Sequence, residues 1–347
     1  MQPTLPAPAG SILDLVARAW AADQPAVFPV RPTVRIGSAT LIPVAIDNGN
    51  DALKGAVLRR DPALSEGEGI GAELTTVRIP TAFGLAQTIQ GRQEVTYSCD
   101  SVAFWTGETA LAHAGDALRL GPTIQRLDDE RQRWFIGAGI VELLRSAGYP
   151  PGEHQIALTL AVPNTEIVIE RDEKGLEQLT LDGRTRESLV RHFKGKTWTF
   201  SRTDDEQRPE NWMIKVASVL PQAQTTGTVI ALTRSPNGKA VLDLDGIRVI
   251  DIGGGDLHVC EVQFSPAQMI NRRSGDGTIR IARALRTDRA FAGVIRNDVE
   301  AQQALVRQTI TRASRRVSIA AEVQQAVASK GNAMVADVLG EIRDSMQ

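Results

Sequence analysis

At 347 residues the chain is long enough for two cores of ordinary domain size, and 42% apolar with 23% charged residues is a globular composition. A net charge of −2 excludes a polycation built to coat nucleic acid or lipid over its whole surface. Two distant cysteines, and four histidines without metal-ligand spacing, exclude a disulfide framework and argue against a structural zinc site.

Residues 1–33 form an N-terminal extension punctuated by prolines. Within it, Ser11 as N-cap and Ile12, Leu15, Val16, Ala19 and Trp20 on one face predict a short amphipathic helix, docked on its own body or serving as an arm. No basic n-region precedes it and no apolar run reaches the ~18 residues of a membrane span, so a cytoplasmic protein without membrane contact is expected. From residue 34 the texture is β-rich. Thr40–Ile46 reads as a buried strand and Leu53–Arg59 as its neighbour, with further extended segments at Thr75–Ile79 and Gln93–Ser98. The acidic, Gly-rich stretch 61–71 reads as a turn. A helix is predicted from Asp129 to Ala147, stopped by Gly148 and Pro150. Strands follow at Ile156–Val162, Glu177–Leu181, Lys196–Phe200 and Met213–Val219. Pro221-Gln222 then opens a helical stretch. A turn at Ser235–Gly238 marks the boundary between a first domain, 34–238, and a second, 239–347. The second domain opens on strands at Ala240–Leu244, Arg248–Ile250 and Leu257–Phe264, and reads as helical from about residue 277 onward.

Two loops carry chemistry. In Asp47-Asn48-Gly49-Asn50-Asp51-Ala52-Leu53-Lys54, a glycine turn between strands can aim successive N–H groups at an anion. Gly49 supplies positive φ or close approach, Asp47 holds a hydrated Mg²⁺, and Lys54 offers a mobile charge. Alone, the motif reads rather as an Asn-Gly hairpin. The second loop, Asp251-Ile252-Gly253-Gly254-Gly255-Asp256, has the same setting of strand, Asp, glycine turn and strand. Three consecutive glycines cost too much conformational entropy for a plain turn, so a close backbone approach to a ligand is expected.

Asp47–Ala56 resembles the first phosphate motif of actins, and Asp251–Asp256 resembles the second. Val219-Leu220-Pro221-Gln222 is similar to the connecting-helix start of plasmid-partition actins, and Gly275-Asp276-Gly277-Thr278 to the segment before their helical subdomain. The nearest resemblance is to the ParM/StbA-like group of bacterial and archaeal actins. It implies an α/β, actin-like (ribonuclease H-like) two-domain fold with a nucleotide cleft, binding ATP (or GTP) with Mg²⁺ and hydrolysing it as filaments form. Asp47 and Asp251 would position the metal. Asn48, Gly49, Asn50 and Lys54 would face one side of the phosphates, and Gly253, Gly254, Gly255 and Asp256 the other. Gln222 would orient the attacking water, against the plain alternative of an ordinary residue at a helix start. The family continues into a Gly-Gly loop that seats adenosine; no such motif follows Gly255, so the C-terminal part is expected to be incomplete.

Between residues 272 and 316 stand eleven arginines against four acids, a surface for filament contacts, a partner or DNA, or simply solvated helix faces. No aromatics interleave them, so direct DNA binding is the weaker expectation. The functional expectation is therefore a filament-forming protein of plasmid segregation or cell organisation, self-associating and joined to DNA through an adaptor. The alternatives are a small-molecule kinase or phosphohydrolase on the same fold, and a non-hydrolysing scaffold.

Overall fold

The computed structural model describes residues 34–36, 39–59, 74–86, 94–113, 116–117, 123–171, 177–203, 208–233, 245–264, 267–313 and 315–344. The expected N-terminal helix, the 61–71 turn, the 235–238 boundary turn and the strand at 240–244 lie outside these residues.

Alternating apolar residues set the opening strands, β1 (Val34–Ile36), β2 (Ala39–Asn48), β3 (Ala52–Leu58) and β4 (Leu74–Pro80). Pro43 is tolerated inside β2 because it falls between residues 39–41, paired to β1, and 44–48, paired to β3. Next come β5 (Ala82–Leu85), β6 (Thr96–Cys99), β7 (Val102–Thr106), the short helix α1 (Gly107–Ala112) and β8 (Asp116–Ala117). Asp100 and Ser101, both at positive φ, make the tight turn that matches the twist of β6 and β7.

After α2 (Thr123–Asp128), the predicted long helix is α3 (Glu130–Ser146). The Asp129 carboxylate caps it by accepting from the Arg131 N–H, and Gly148 at φ 82° ends it. Its buried face includes Phe135, Ile136, Ile140, Leu143 and Leu144. Gly137 lets the helix lie close against the sheet: a Cβ there would sit 2.3 Å from the Phe200 ring. The chain continues through β9 (Gly152–Val162), β10 (Ile167–Arg171), β11 (Glu177–Leu181), α4 (Gly183–His192), β12 (Thr197–Thr203) and β13 (Pro209–Ala223). Among the described residues the main sheet runs β4-β3-β2-β9-β13-β12-β6-β7-β5-β8, with β1 beside β2. β9 is parallel to both β2 and β13, and these three central strands are the apolar runs legible in the sequence.

A buried charge cluster braces α3 against this sheet. Arg202, 4% exposed, donates from Nε to Glu142 Oε1 at 2.5 Å, and the Tyr97 hydroxyl donates to the same carboxylate oxygen. Burial, then the Glu142 charge, pushes the Tyr97 hydroxyl well above its ordinary value.

The second half holds α5 (Thr226–Thr233), the antiparallel meander β14 (Gly246–Ile252), β15 (Asp256–Phe264) and β16 (Ala267–Asp276), then α6 (Ile279–Thr287) and α7 (Asp298–Arg307). The expectation of helix to the end is corrected here. A hairpin, β17 (Thr309–Arg312) and β18 (Arg315–Ser318), follows α7 before α8 (Ala320–Ala326) and α9 (Asn332–Asp344). Gln308 at φ 52° terminates α7, and the β-branched run Thr309-Ile310-Thr311 favours extended backbone. Buried apolar side chains form one large cluster within 42–216. Separate smaller clusters join α6, α7 and α8, and join Leu257 and Val259 to Met334 and Val338.

Candidate functional site

The first loop is a tight hairpin, Asn48 opposite Leu53, closed by the Gly49 N–H on the Ala52 carbonyl at 3.2 Å. Pleating sends successive side chains to opposite faces. Asp47 therefore points away from α3, beside its cross-strand partner Lys54, with Oδ2 at 3.6 Å from Nζ. Asn48 points the other way. It is 6% exposed, its Nδ2 donates to Gln132 on α3 at 3.1 Å, and its carbonyl accepts from Arg126 at 2.9 Å. Its amide thus braces the loop from beneath and does not face the site. Gly49 does not take positive φ; a Cβ there would lie 3.0 Å from the Ala52 carbonyl, so close approach is its reason. Thr81 pins the turn by donating from its hydroxyl to the Gly49 carbonyl at 2.7 Å and from its N–H to the Asp51 carbonyl at 3.0 Å. Arg78 pairs with the Asp51 carboxylate.

The second loop joins β14 to β15, Ile252 opposite Leu257. Its three glycine carbonyls all accept from the start of α6: Gly253 from the Thr278 N–H at 3.0 Å, Gly254 from Ile279 at 2.7 Å, and Gly255 from Gly277 at 3.1 Å. Gln302 of α7 adds a bond to the Gly254 carbonyl at 3.2 Å. In a planar trans peptide the N–H points opposite the carbonyl. The N–H groups of Gly254 and Gly255 are therefore turned away from α6, and they donate to no loop, turn or cap acceptor among the described residues. Backbone N–H groups left free in a turn are what an anion can bind.

The two loops meet. A Cβ on Gly254 would lie 2.5 Å from the Asp51 Cβ, and one on Gly255 would lie 2.1 Å from the Asn50 Nδ2. The glycines are required, as the sequence reading expected, but the close approach that requires them comes from the first loop. Asp251, half-buried, stands opposite the buried His258 in the ladder.

Gln222 is not at a helix start. It lies within β13, paired to Ala161 of β9, and α5 begins four residues later at Thr226. The strand runs on because β9 supports it as far as Ala223, and the Gln224 N–H still bonds the Val162 carbonyl at 3.0 Å. Pro221 does not break it, since β12 leaves its other edge after Lys215. Gln224 is the residue that reaches the site: its Nε2 donates to Asp47 Oδ1 at 3.3 Å. The next residue, Thr225, bonds through its hydroxyl to the Asn164 side chain at 3.1 Å and interacts with the Cys260 thiol on β15. Burial raises that thiol, and the Thr225 hydrogen bond partly offsets the effect. The end of β13 thus ties Asp47 to the second hairpin. The signal in the sequence was the Gln-x-Gln spacing, which puts both glutamines on one strand face.

Asp47 and Asp251 are ligands of the type that Mg²⁺ takes, one or two carboxylates with most of its hydration kept. Among the described residues no cluster of three or more His, Cys, Asp or Glu forms a fuller cage. No described helix is long and apolar enough to cross a membrane.

No protein-family model matches the chain, and no curated protein sequence matches it. Solved structures do. The archaeal actin homolog Ta0583 in complex with ADP superposes with a TM-score of 0.58 at 16% identity, covering 87% of this chain and 83% of that one. The actin-like protein Alp7A gives 0.57 at 11% identity, covering 86% and 79%. Bacillus thuringiensis ParM with ATP gives 0.52 at 12%, covering 87% and 84%. The chain has the actin fold. At these identities the likeness establishes the architecture alone.

Proposed function

We propose that this chain is a nucleotide-dependent, filament-forming protein of the actin type. It binds ATP or GTP with Mg²⁺ between the two hairpins and couples hydrolysis to self-association. The observation that carries the reading is the outward turn of the Gly254 and Gly255 N–H groups beside the Asp47–Lys54 pair. The resemblance of both loops to actin phosphate motifs supports it, as do the bound nucleotides named for structures of the same fold.

The Gly254 and Gly255 N–H groups donate to phosphate oxygens as they gain charge, and Lys54 leaves Asp47 to meet them. Asp256 adds its backbone to the second loop, and Asn50 lines the first. When bound, Mg²⁺ supplies charge neutralisation across the phosphates. Gln224, whose bond to Asp47 supports the reading, orients a water; hydrolysis then rests on positioning and charge stabilisation. Filaments of this kind would serve DNA segregation or cell organisation through an adaptor.

Phosphate release, pelleting and electron microscopy with ATP and Mg²⁺ test the reading. Wild type should hydrolyse and pellet, Asp251→Ala should do neither, and Gln224→Ala should lose far more turnover than Gln222→Ala. A chain that stays monomeric at high concentration would sink the polymer claim. Nucleotide binding without phosphate release would leave the non-hydrolysing scaffold.

A further inference from the structure

The β17–β18 hairpin carries charge that the nucleotide reading does not use. In its register Arg312 faces Arg315, and Arg316 faces Thr311; all four are exposed. Like charges directly opposite one another destabilise a strand pair. The turn adds strain, since Ala313 sits at φ 47° without being a glycine. Elsewhere in the arginine-rich stretch five charges are answered. Arg280 pairs with Asp337, Arg283 and Arg286 with Asp298, Arg296 with Glu300, and Arg307 with Glu108. At the tip, among the described residues, Arg312 and Arg315 have no ion pair or hydrogen bond, and Arg316 reaches only the Thr309 hydroxyl at 3.1 Å. The base is firm: the Ile319 N–H bonds the Gln308 carbonyl at 2.9 Å, and Ile310 packs on the α6–α8 core. The molecule therefore holds an electrostatically unfavourable tab in a fixed position.

We infer that this hairpin binds the phosphodiester backbone of duplex nucleic acid without reading its sequence. Guanidinium groups grip phosphate oxygens bidentately, and a two-stranded ribbon is narrow enough for the major groove. Residues 309–318 contain three arginines, four hydroxyl residues and no acid, the side chains that contact phosphates. They contain no aromatic, so base stacking on single strands is not provided for. Val317 is the one large apolar residue exposed there among the described residues, which falls short of the anchors a protein interface is built on. The three arginines lie within five residues of one another in the sequence, and the hairpin holds them at one tip.

The test is fluorescence anisotropy of the full chain with a labelled random-sequence duplex, without nucleotide, between about 50 and 200 mM salt. Because no nucleotide is present, its outcome is separate from that of the filament reading. Binding should weaken with salt. Arg312→Ala/Arg315→Ala/Arg316→Ala should lower affinity by roughly tenfold or more, and should flatten the log–log salt slope by nearly 3, at about 0.9 per phosphate contact. The triple lysine variant should keep most of the slope. The alanine variant should melt at or above the wild-type temperature, because it removes opposed charges. Unchanged affinity in the alanine variant would overturn the inference, as would equal competition by poly-glutamate, which points to an acidic protein instead. A melting temperature that falls with the loss of binding would assign the arginines a structural role.

Discussion

The contact between the two loops makes a sharp prediction. In Gly255→Ala the new Cβ would lie 2.1 Å from Nδ2, 2.4 Å from Cγ and 2.6 Å from Cβ of Asn50. None of these distances is tenable, so either the Asn50 side chain is expelled or the hairpins part. Overpacking of this kind costs about 1–3 kcal/mol. Asn50→Gly removes all three opposing atoms, so Gly255→Ala should cost about 2 kcal/mol alone and close to nothing in that background. The double-mutant cycle should then show a coupling of about 1.5–2 kcal/mol, within the span seen for residues in contact. Gly254→Ala differs in kind. Its Cβ meets Asp51 Cβ at 2.5 Å but also Asp51 Cα at 3.3 Å and N at 3.4 Å. Asp51→Gly relieves only the first contact, so rescue should be partial. Urea unfolding of the six single and double variants, at constant m-value, measures each term. Strict additivity for Asn50 and Gly255 would refute the loop-to-loop contact and return the glycines to a purely ligand-dictated role.

Two further predictions concern α3. Arg202→Ala should destabilise by about 3 kcal/mol, the lower end for a broken buried pair because Glu142 keeps 22% side-chain exposure; a loss under about 1 kcal/mol in urea unfolding would show the cluster to be solvated. Asp129, whose carboxylate accepts from the Arg131 guanidinium and from the Arg131 backbone N–H, is held below its ordinary carboxylate value. Its contribution is thus complete above the unfolded-state pKa near ~3.9 and is lost as pH falls through the lower folded-state value. Asp129→Asn keeps a capping oxygen, so its stability gap to wild type should close on acidification below about pH 4. A gap that does not change with pH would exclude the charge as its cause.

Much of the fold was legible in local pattern. The parallel strands around Val44, Leu158 and Ile214 were legible from the apolar residues that bury one face, with Met213 and Lys215 on the exposed face of β13, and α3 announced both its ends through Asp129 and Gly148. The paired Asp-Gly loops were legible because their backbone geometry demands particular residues. The bond from Gln224 to Asp47 is not legible locally, because the boundary between β13 and α5 is set by β9 alongside it, a partner some 60 positions earlier in the chain. The β17–β18 hairpin hid within an arginine-rich stretch that reads as helix, since one left-handed residue at Gln308 redirects the chain.

Local pattern alone points to a glycine hairpin in each half of the chain, because short-range sterics choose glycine wherever backbones must come close. What comes close is a matter of packing: Gly254 and Gly255 lie on Asp51 and Asn50, Asn48 turns inward to Gln132, and Gln224 reaches Asp47. Those choices depend on sheet register and helix placement, which arise from burial summed over residues far apart in the chain.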